Sequence, residues 1–207
     1  MDKKRVRRWV YYTAGAVVFI AIFWAALFAG TDDYKVKLPV LADVRPFRFV
    51  DQAGDTITER NFDGKVCVVN FFFTTCRGIC PRMNDNMKTQ VFDPFKNEPN
   101  FLVVSHTVNP GTDSVARMKH YADSLGVNDP GHWLFLTGTK EALYKAARDS
   151  YLLDDESHNK GKIEEQFIHT QLFALVDKQG RVRGIYDGLS QKELVQLQKD
   201  IRELLKG

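Results

Sequence analysis

Apolar residues in this chain fall into one long block and several short ones. The long block runs from Val10 to Ala29, twenty residues without a charge. As a helix it would rise about 30 Å, the thickness of bilayer hydrocarbon. Trp9, Tyr11 and Tyr12 sit at one end, where amphipathic rings favour the interface. A cleaved signal peptide has an apolar region of only about 7–15 residues and closes on an A-x-A-like site. Leu27-Phe28-Ala29 matches that poorly, and no cysteine follows the span to carry a lipid. A buried core helix of this length with such flanking charge is disfavoured. The pattern predicts an uncleaved transmembrane anchor over 10–29.

The short blocks have strand or helix periods. Phe47–Val50 and Thr56–Thr58 flank a turn at Asp51–Asp55 and read as a small hairpin. Lys65–Phe73 is almost wholly apolar, as expected of a central strand buried on both faces. A helix is predicted over 82–96 and a second strand over Phe101–Thr107. Asp113 or Ser114 can cap a helix whose apolar stripe is Val115, Met118, Tyr121 and Leu125, closed by Gly126. Trp133–Thr137 reads as a third strand, and Thr139 caps a helix through Leu143, Ala146 and Ala147. Residues 152–166 are a polar insertion with little to bury. Leu172–Val176 and Val182–Tyr186 make a hairpin around Asp177-Lys178-Gln179-Gly180. Ser190 with Glu193 reads as a capping box before a last helix lined by Leu194, Leu197, Ile201, Leu204 and Leu205. This order of elements implies an α/β fold, a mixed sheet sandwiched by helices.

Charge orients the anchor. Lys3, Lys4, Arg5, Arg7 and Arg8 precede it, and Asp32 and Asp33 follow. The positive-inside rule then leaves the N-terminus cytoplasmic and the body outside, as for a single-pass protein of a bacterial-type inner membrane with a periplasmic domain. The net charge of +3 is concentrated in that tip, which argues against a nucleic-acid partner. The expected organisation is a basic cytoplasmic tip at 1–9, an anchor at 10–29, a tether at 30–46 and a globular body at 47–207. An exported body exposes its cysteines to an oxidising compartment.

Thr74-Thr75-Cys76-Arg77-Gly78-Ile79-Cys80-Pro81 follows the buried strand and opens a helix. Sites collect at that edge of an open α/β sheet, and Pro81 suits a first helical turn. Free N–H groups there, with Arg77 beside them, favour thiolates. Four positions apart on a helix, Cys76 and Cys80 share a face. They can form a disulfide or chelate one soft ion, and the pair signals redox or metal chemistry equally. Three cysteines do not make a four-cysteine zinc site. Two thiolates and an imidazole suit copper(I). Of five histidines, His169 is best placed, just before a strand returning to the same edge. His106, at a strand end, is a weaker alternate. His158 lies in the polar insertion, and His120 and His132 read as surface residues. Cys67 reads as an inert buried thiol, and Met83 and Met87 as core rather than thioether ligands.

These residues resemble the Sco (SenC) family of membrane-anchored copper proteins over roughly 45–205. The resemblance rests on Asp51-Gln52-x-Gly54, Val69-Asn70-Phe71-Phe72-Phe73-Thr74-x-Cys76-x3-Cys80-Pro81, Thr107-Val108-Asn109-Pro110-x2-Asp113, Trp133-x-Phe135-Leu136-Thr137-Gly138, and His169 before Leu175-Val176-Asp177-x2-Gly180. It implies a thioredoxin-like domain facing the periplasm. It also implies one copper ion per chain held by Cys76, Cys80 and His169. The implied role is in assembling the copper site of cytochrome c oxidase, as metal donor, thiol reductant or both, with the copper-bearing oxidase subunit or another copper or thiol protein as partner. Arg77 stands where the family often has Pro, Ile168 where it often has Asp, and Asn109 where Asp is common. No proposed ligand is lost, but an acid beside His169 that would orient its ring is.

An alternative is a membrane-anchored thiol–disulfide oxidoreductase or peroxidase in which Cys76 attacks and Cys80 resolves. Against it, general oxidoreductases of this kind use Cys-x2-Cys with a proline opposite, whereas Gln166–Leu172 holds His169 and no proline. A third reading is an interaction domain with a merely structural Cys76–Cys80 bridge, and a loop so short stabilises little.

Overall fold

A computed structural model describes residues 3–28, 38–127, 131–155, 157 and 161–207. They belong to two compact units, Met1–Lys37 and Leu38–Gly207. In the first, helix α1 spans Lys3–Phe28. It is long and apolar enough to cross a membrane over Lys4–Ala26, with none of that span buried.

The second unit contains β1 (Ala42–Asp43), β2 (Arg48–Val50), β3 (Thr56–Thr58), β4 (Val66–Phe72), α2 (Cys80–Asn86), α3 (Asp93–Phe95), β5 (Phe101–Thr107), α4 (Val115–Leu125), β6 (Trp133–Leu136), α5 (Lys140–Lys145), β7 (Leu172–Val176), β8 (Arg181–Asp187) and α6 (Gln191–Lys206). Helix α2 begins on Cys80 itself, with Pro81 in its first turn. It continues through a wider π-helical stretch, Met87–Phe92, into α3. The helix expected over 82–96 therefore starts two residues early, on the second thiol.

Six strands form one mixed sheet in the order β1-β8-β7-β4-β5-β6. Strands β4, β5 and β6 run parallel, while β7 pairs antiparallel with both β4 and β8. All seven residues of β4 are buried, which is why its sequence shows no polar alternation. Successive side chains point to opposite faces. Cys67, Val69 and Phe71 pack with Leu143, Tyr144 and Ala147 of the α5 region and with Phe49 and Ile57 of the β2–β3 hairpin. Val66, Val68 and Phe72 pack with Met83 and Met87 after the dithiol loop, Met118 of α4, and Leu194, Leu197 and Ile201 of α6. Each large aliphatic side chain so buried stabilises the fold by about 2–5 kcal/mol against alanine.

The structure departs from the sequence pattern at several points. Residue 29 of the expected anchor and residues 30–37 of the expected tether lie outside the described residues. Its later part joins the body: Ala42 and Asp43 pair with Val182 and Arg181, and the N–H of Leu41 donates to the Val182 carbonyl. The insertion at 152–166 buries more than its polarity suggests, for Leu153 is core and Ile163 packs against it. Ser190 and Glu193 do not form a capping box. The Ser190 side chain makes no cap bond, and Glu193 instead accepts from the Asp187 N–H at 2.6 Å. Ser114, not Asp113, caps α4, accepting from the Arg117 N–H.

Candidate metal centre

The parallel strands β4 and β5 end side by side, Phe72 opposite Thr107, and the chain leaving β4 turns at once into the dithiol loop. The Cys76 N–H donates to the Phe73 carbonyl at 3.2 Å and closes the turn. Cys76 is partly exposed, Cys80 is buried, and Arg77, Gly78 and Ile79 between them face solvent. Both cysteines are free thiols in this structure, as is Cys67.

The two thiols are electrostatically unequal. Partial burial raises the Cys76 thiol, but hydrogen bonds from the Cys80 thiol and from the backbone N–H groups of Cys80, Gly78 and Ile79 outweigh it and hold Cys76 below its ordinary value. Cys80 is pushed up to about 12, first by burial and then by donating to, and lying beside, Cys76. Cys76 is therefore the more acidic of the two thiols, and Cys80 the one that donates its hydrogen bond. The sequence suggested Arg77 as a source of this effect. The leading contributions come instead from the backbone and from Cys80, while the Arg77 guanidinium faces solvent.

His169 follows buried Ile168 and is itself exposed. Its ring lies 4.7 Å from that of Phe167 and 6.2 Å, edge-on, from that of Phe73. Cys80 and His169 line one small cavity together with Phe71, Phe72, Phe73, Ile79, Val108, Ile168 and Thr170. The tertiary fold thus brings the histidine to the rim of the dithiol. Among the described residues, no three His, Cys, Asp or Glu side chains stand close enough together to hold a metal ion.

The other sequence candidates go elsewhere. His106 is fully buried among Phe47, Phe49, Phe71 and Tyr151. Met83 and Met87 are core. Cys67 is buried, and that burial pushes its thiol up to about 12, which makes it inert. His120 is exposed and His132 half-buried. His158 lies outside the described residues.

Two polar systems that the motifs contained but did not reveal support the loop. In the first, Trp133 Nε1 donates to Ser105 Oγ at 2.9 Å, and Ser105 Oγ donates to Asn70 Oδ1 at 2.6 Å. Asn70 Nδ2 then donates to Asn84 Oδ1, and Asn84 Nδ2 to the Tyr121 hydroxyl at 2.7 Å. This chain ties β6, β5 and β4 to α2 one turn beyond Cys80. Its signal in the sequence was a lone Asn in an apolar strand, where a buried amide must find partners. In the second, buried Asp113 accepts from Thr107 and Thr74, directly before the dithiol.

A mixed sheet covered on both faces by helices, with a dithiol where the central strand passes into its helix, defines a thioredoxin-like domain. Within that class the chain belongs to the SCO1/SenC family, whose profile matches residues 40–206. The SCO1 protein homolog of Bacillus subtilis (strain 168) is 28% identical over 170 residues, covering 81% of this chain and 86% of its own. A solved SCO1/SenC family lipoprotein from Bacillus anthracis str. Ames is 29% identical with a TM-score of 0.66, covering 79% of this chain and 95% of its own. BsSco, described as a member of the Sco family of cytochrome c oxidase assembly proteins with a disulfide switch, is 27% identical with a TM-score of 0.67, covering 80% and 95%. ScoI of Bradyrhizobium japonicum, solved with copper bound, shares the fold at 22% identity and a TM-score of 0.60, covering 79% and 99%.

Proposed function

We propose that this protein binds one copper(I) ion as cargo through Cys76, Cys80 and His169 and serves assembly of the copper site of cytochrome c oxidase. The observation that carries the reading is the shared cavity of Cys80 and His169, beside a Cys76 thiol held below its ordinary value. Two sulfurs and an imidazole are a soft, low-coordinate donor set suited to copper(I). Cys76 is the more readily ionised of the two thiols, and copper displaces thiol protons from the pair on binding. Exposed His169 completes the site by movement of its loop toward the sulfurs. Family membership supports the client, since BsSco is described as an oxidase assembly protein, and ScoI carries copper on the same fold.

Transfer proceeds by ligand exchange. A partner's thiolates replace Cys76, Cys80 and His169 in turn, and the copper-bearing oxidase subunit is the partner proposed. Helix α1 anchors the chain, with 1–9 cytoplasmic, 10–29 in the inner membrane and 30–46 leading to the periplasmic copper-binding domain at 47–207. The basic residues before the span set this orientation.

The test is copper(I) titration of the reduced full-length protein in detergent. One tight ion per chain is expected, lost in Cys80→Ser and strongly weakened in His169→Ala. Equal binding by the wild type and His169→Ala removes the third ligand from the reading.

The thiol asymmetry favours a second reading, in which the same pair reduces a partner's disulfide. The Cys76 thiolate attacks one sulfur of that disulfide, the other leaves as a thiolate, and Cys80 then attacks Cys76 to release the second. The partner gains two electrons and Cys76–Cys80 becomes the disulfide. Rapid reduction of a disulfide substrate by a protein that retains no copper places this reading first.

A further inference from the structure

A buried carboxyl group, that of Asp113, touches Thr74, two residues before Cys76. Asp113 is wholly buried, yet it is Ser114 and not Asp113 that caps the neighbouring helix. Its carboxylate takes donors from two directions. Thr107 Oγ1, at the end of β5, donates to Oδ2 at 2.5 Å. From the other side, Thr74 Oγ1 donates to Oδ1 at 2.5 Å and the Thr74 N–H donates to Oδ2 at 3.2 Å. Thr107 Oγ1 in turn accepts from the Asn109 N–H at 2.9 Å, and the Asp113 and Thr112 N–H groups close on the Asn109 carbonyl. The Val108 N–H donates to the Phe72 carbonyl at 2.8 Å. The 107–113 loop is therefore stitched to the end of β4, and its carboxylate grips the first residue of the thiol-bearing turn.

We infer that Asp113 is a positioning residue for the dithiol, holding Thr74 so that Cys76 is presented to Cys80. The inference rests on the reading of Cys76 and Cys80 as the working pair. The physical argument is one of ordering. Arg77, Gly78 and Ile79 are exposed, so the loop's geometry is fixed largely from its base. A buried carboxylate accepting three hydrogen bonds is a strong fixture, because bonds to charged groups are roughly twice as strong as neutral ones. With the base fixed, little freedom remains to be lost when the two sulfurs are joined, by a bond or by an ion. Asparagine at 113 keeps the shape, but its NH2 group faces donors where an oxygen stood. Released at its base, the loop loses effective concentration of Cys76 against Cys80.

The experiment equilibrates the full-length protein with glutathione, where the disulfide plus two glutathiones gives the dithiol plus oxidised glutathione. Asp113→Asn is expected to move the equilibrium at least fivefold toward the dithiol and to weaken copper(I) binding to a similar degree. Thr74→Val, which removes one donor and leaves the carboxylate, is expected to move both in the same direction, and Thr74→Ser to restore wild-type values. Asp200→Asn is the control. That buried carboxylate accepts from the Tyr186 hydroxyl on another part of the sheet, so its loss lowers thermal stability and leaves the glutathione equilibrium unmoved. If Asp113→Asn does not fold, Thr74→Val decides. A glutathione equilibrium within twofold of wild type in the folded variants, with only the melting temperature changed, makes Asp113 merely structural and overturns the inference. The glutathione readout needs no metal, so failure of the copper reading leaves it intact.

Discussion

His106 and Tyr151 lie ring beside ring in the core, 5.3 Å between centroids, and neither imidazole nitrogen nor the phenolic oxygen has a hydrogen-bond partner among the described residues. A buried polar atom without a partner costs about 1–3 kcal/mol. Burial pushes His106 down to about 3. The imidazole is thus neutral in the fold and takes a proton only when the chain opens. Folded below unfolded is the sign that makes stability fall with pH: it is full above the unfolded value of about 6.5 and lost as pH drops toward 3. His106→Phe is expected to be at least as stable as wild type at pH 7. It is also expected to be spared about 2 kcal/mol of the wild type's loss between pH 6.5 and pH 5. Urea unfolding at both pH values checks this, and parallel curves for the two proteins contradict it.

The asymmetry of the thiols depends on the Cys80 S–H donating to Cys76. Cys80→Ala removes that donor while keeping the backbone N–H groups. The Cys76 thiol is expected to rise and its alkylation by iodoacetamide at pH 7 to slow several-fold, with the pH–rate midpoint displaced upward. An unmoved midpoint shows that the backbone alone holds the thiolate.

Asn84 joins Asn70 to Tyr121 through its two side-chain ends. Asn84→Ala strands an amide and a hydroxyl together and opens a gap beneath α2, so a loss of about 2–4 kcal/mol is expected. Tyr121→Phe removes only the outer link and should cost about 1 kcal/mol. Denaturant midpoints give both values, and equal losses contradict a graded chain.

Gly188 stands where β8 passes toward α6. Its carbonyl accepts from Asn86 Nδ2 at 2.8 Å, and its N–H donates to Gln171. A Cβ there meets the Gln171 carbonyl oxygen at 2.8 Å as well as the Phe173 ring. A ring can turn, but a backbone carbonyl held by the Gly188 N–H cannot. Gly188→Ala should cost about 1–3 kcal/mol and, through Gln171, displace the segment carrying His169. Thermal melting measures the first effect and copper(I) affinity the second.

Local pattern made much of this molecule readable. The run around Val66–Phe72 announced a strand buried on both sides, and the stripe Leu194, Leu197, Ile201 announced the inner face of α6. Both follow from the burial of apolar area, which repeats along the chain. Ser190 and Glu193 show where pattern stopped. Their spacing fits a capping box, but the Asp187 N–H needed an acceptor and Glu193 was within reach. Asp113 misled in the same way, for a residue that looks like a cap is drawn instead into a clamp across two strand ends.

By itself, then, the sequence determined the apolar span, the mixed α/β order, and the placing of two thiols where a central strand meets a helix. Each of these is written in the spacing of neighbouring residues. Tertiary structure alone decided that Cys76 is the more acidic thiol and Cys80 the hydrogen-bond donor, that His106 is sealed in the core while His169 reaches the dithiol's rim, and that Asp113 grips Thr74. Those outcomes depend on which groups water can reach and which partners strand pairing brings alongside. Such quantities belong to contacts between distant segments, and no local spacing encodes them.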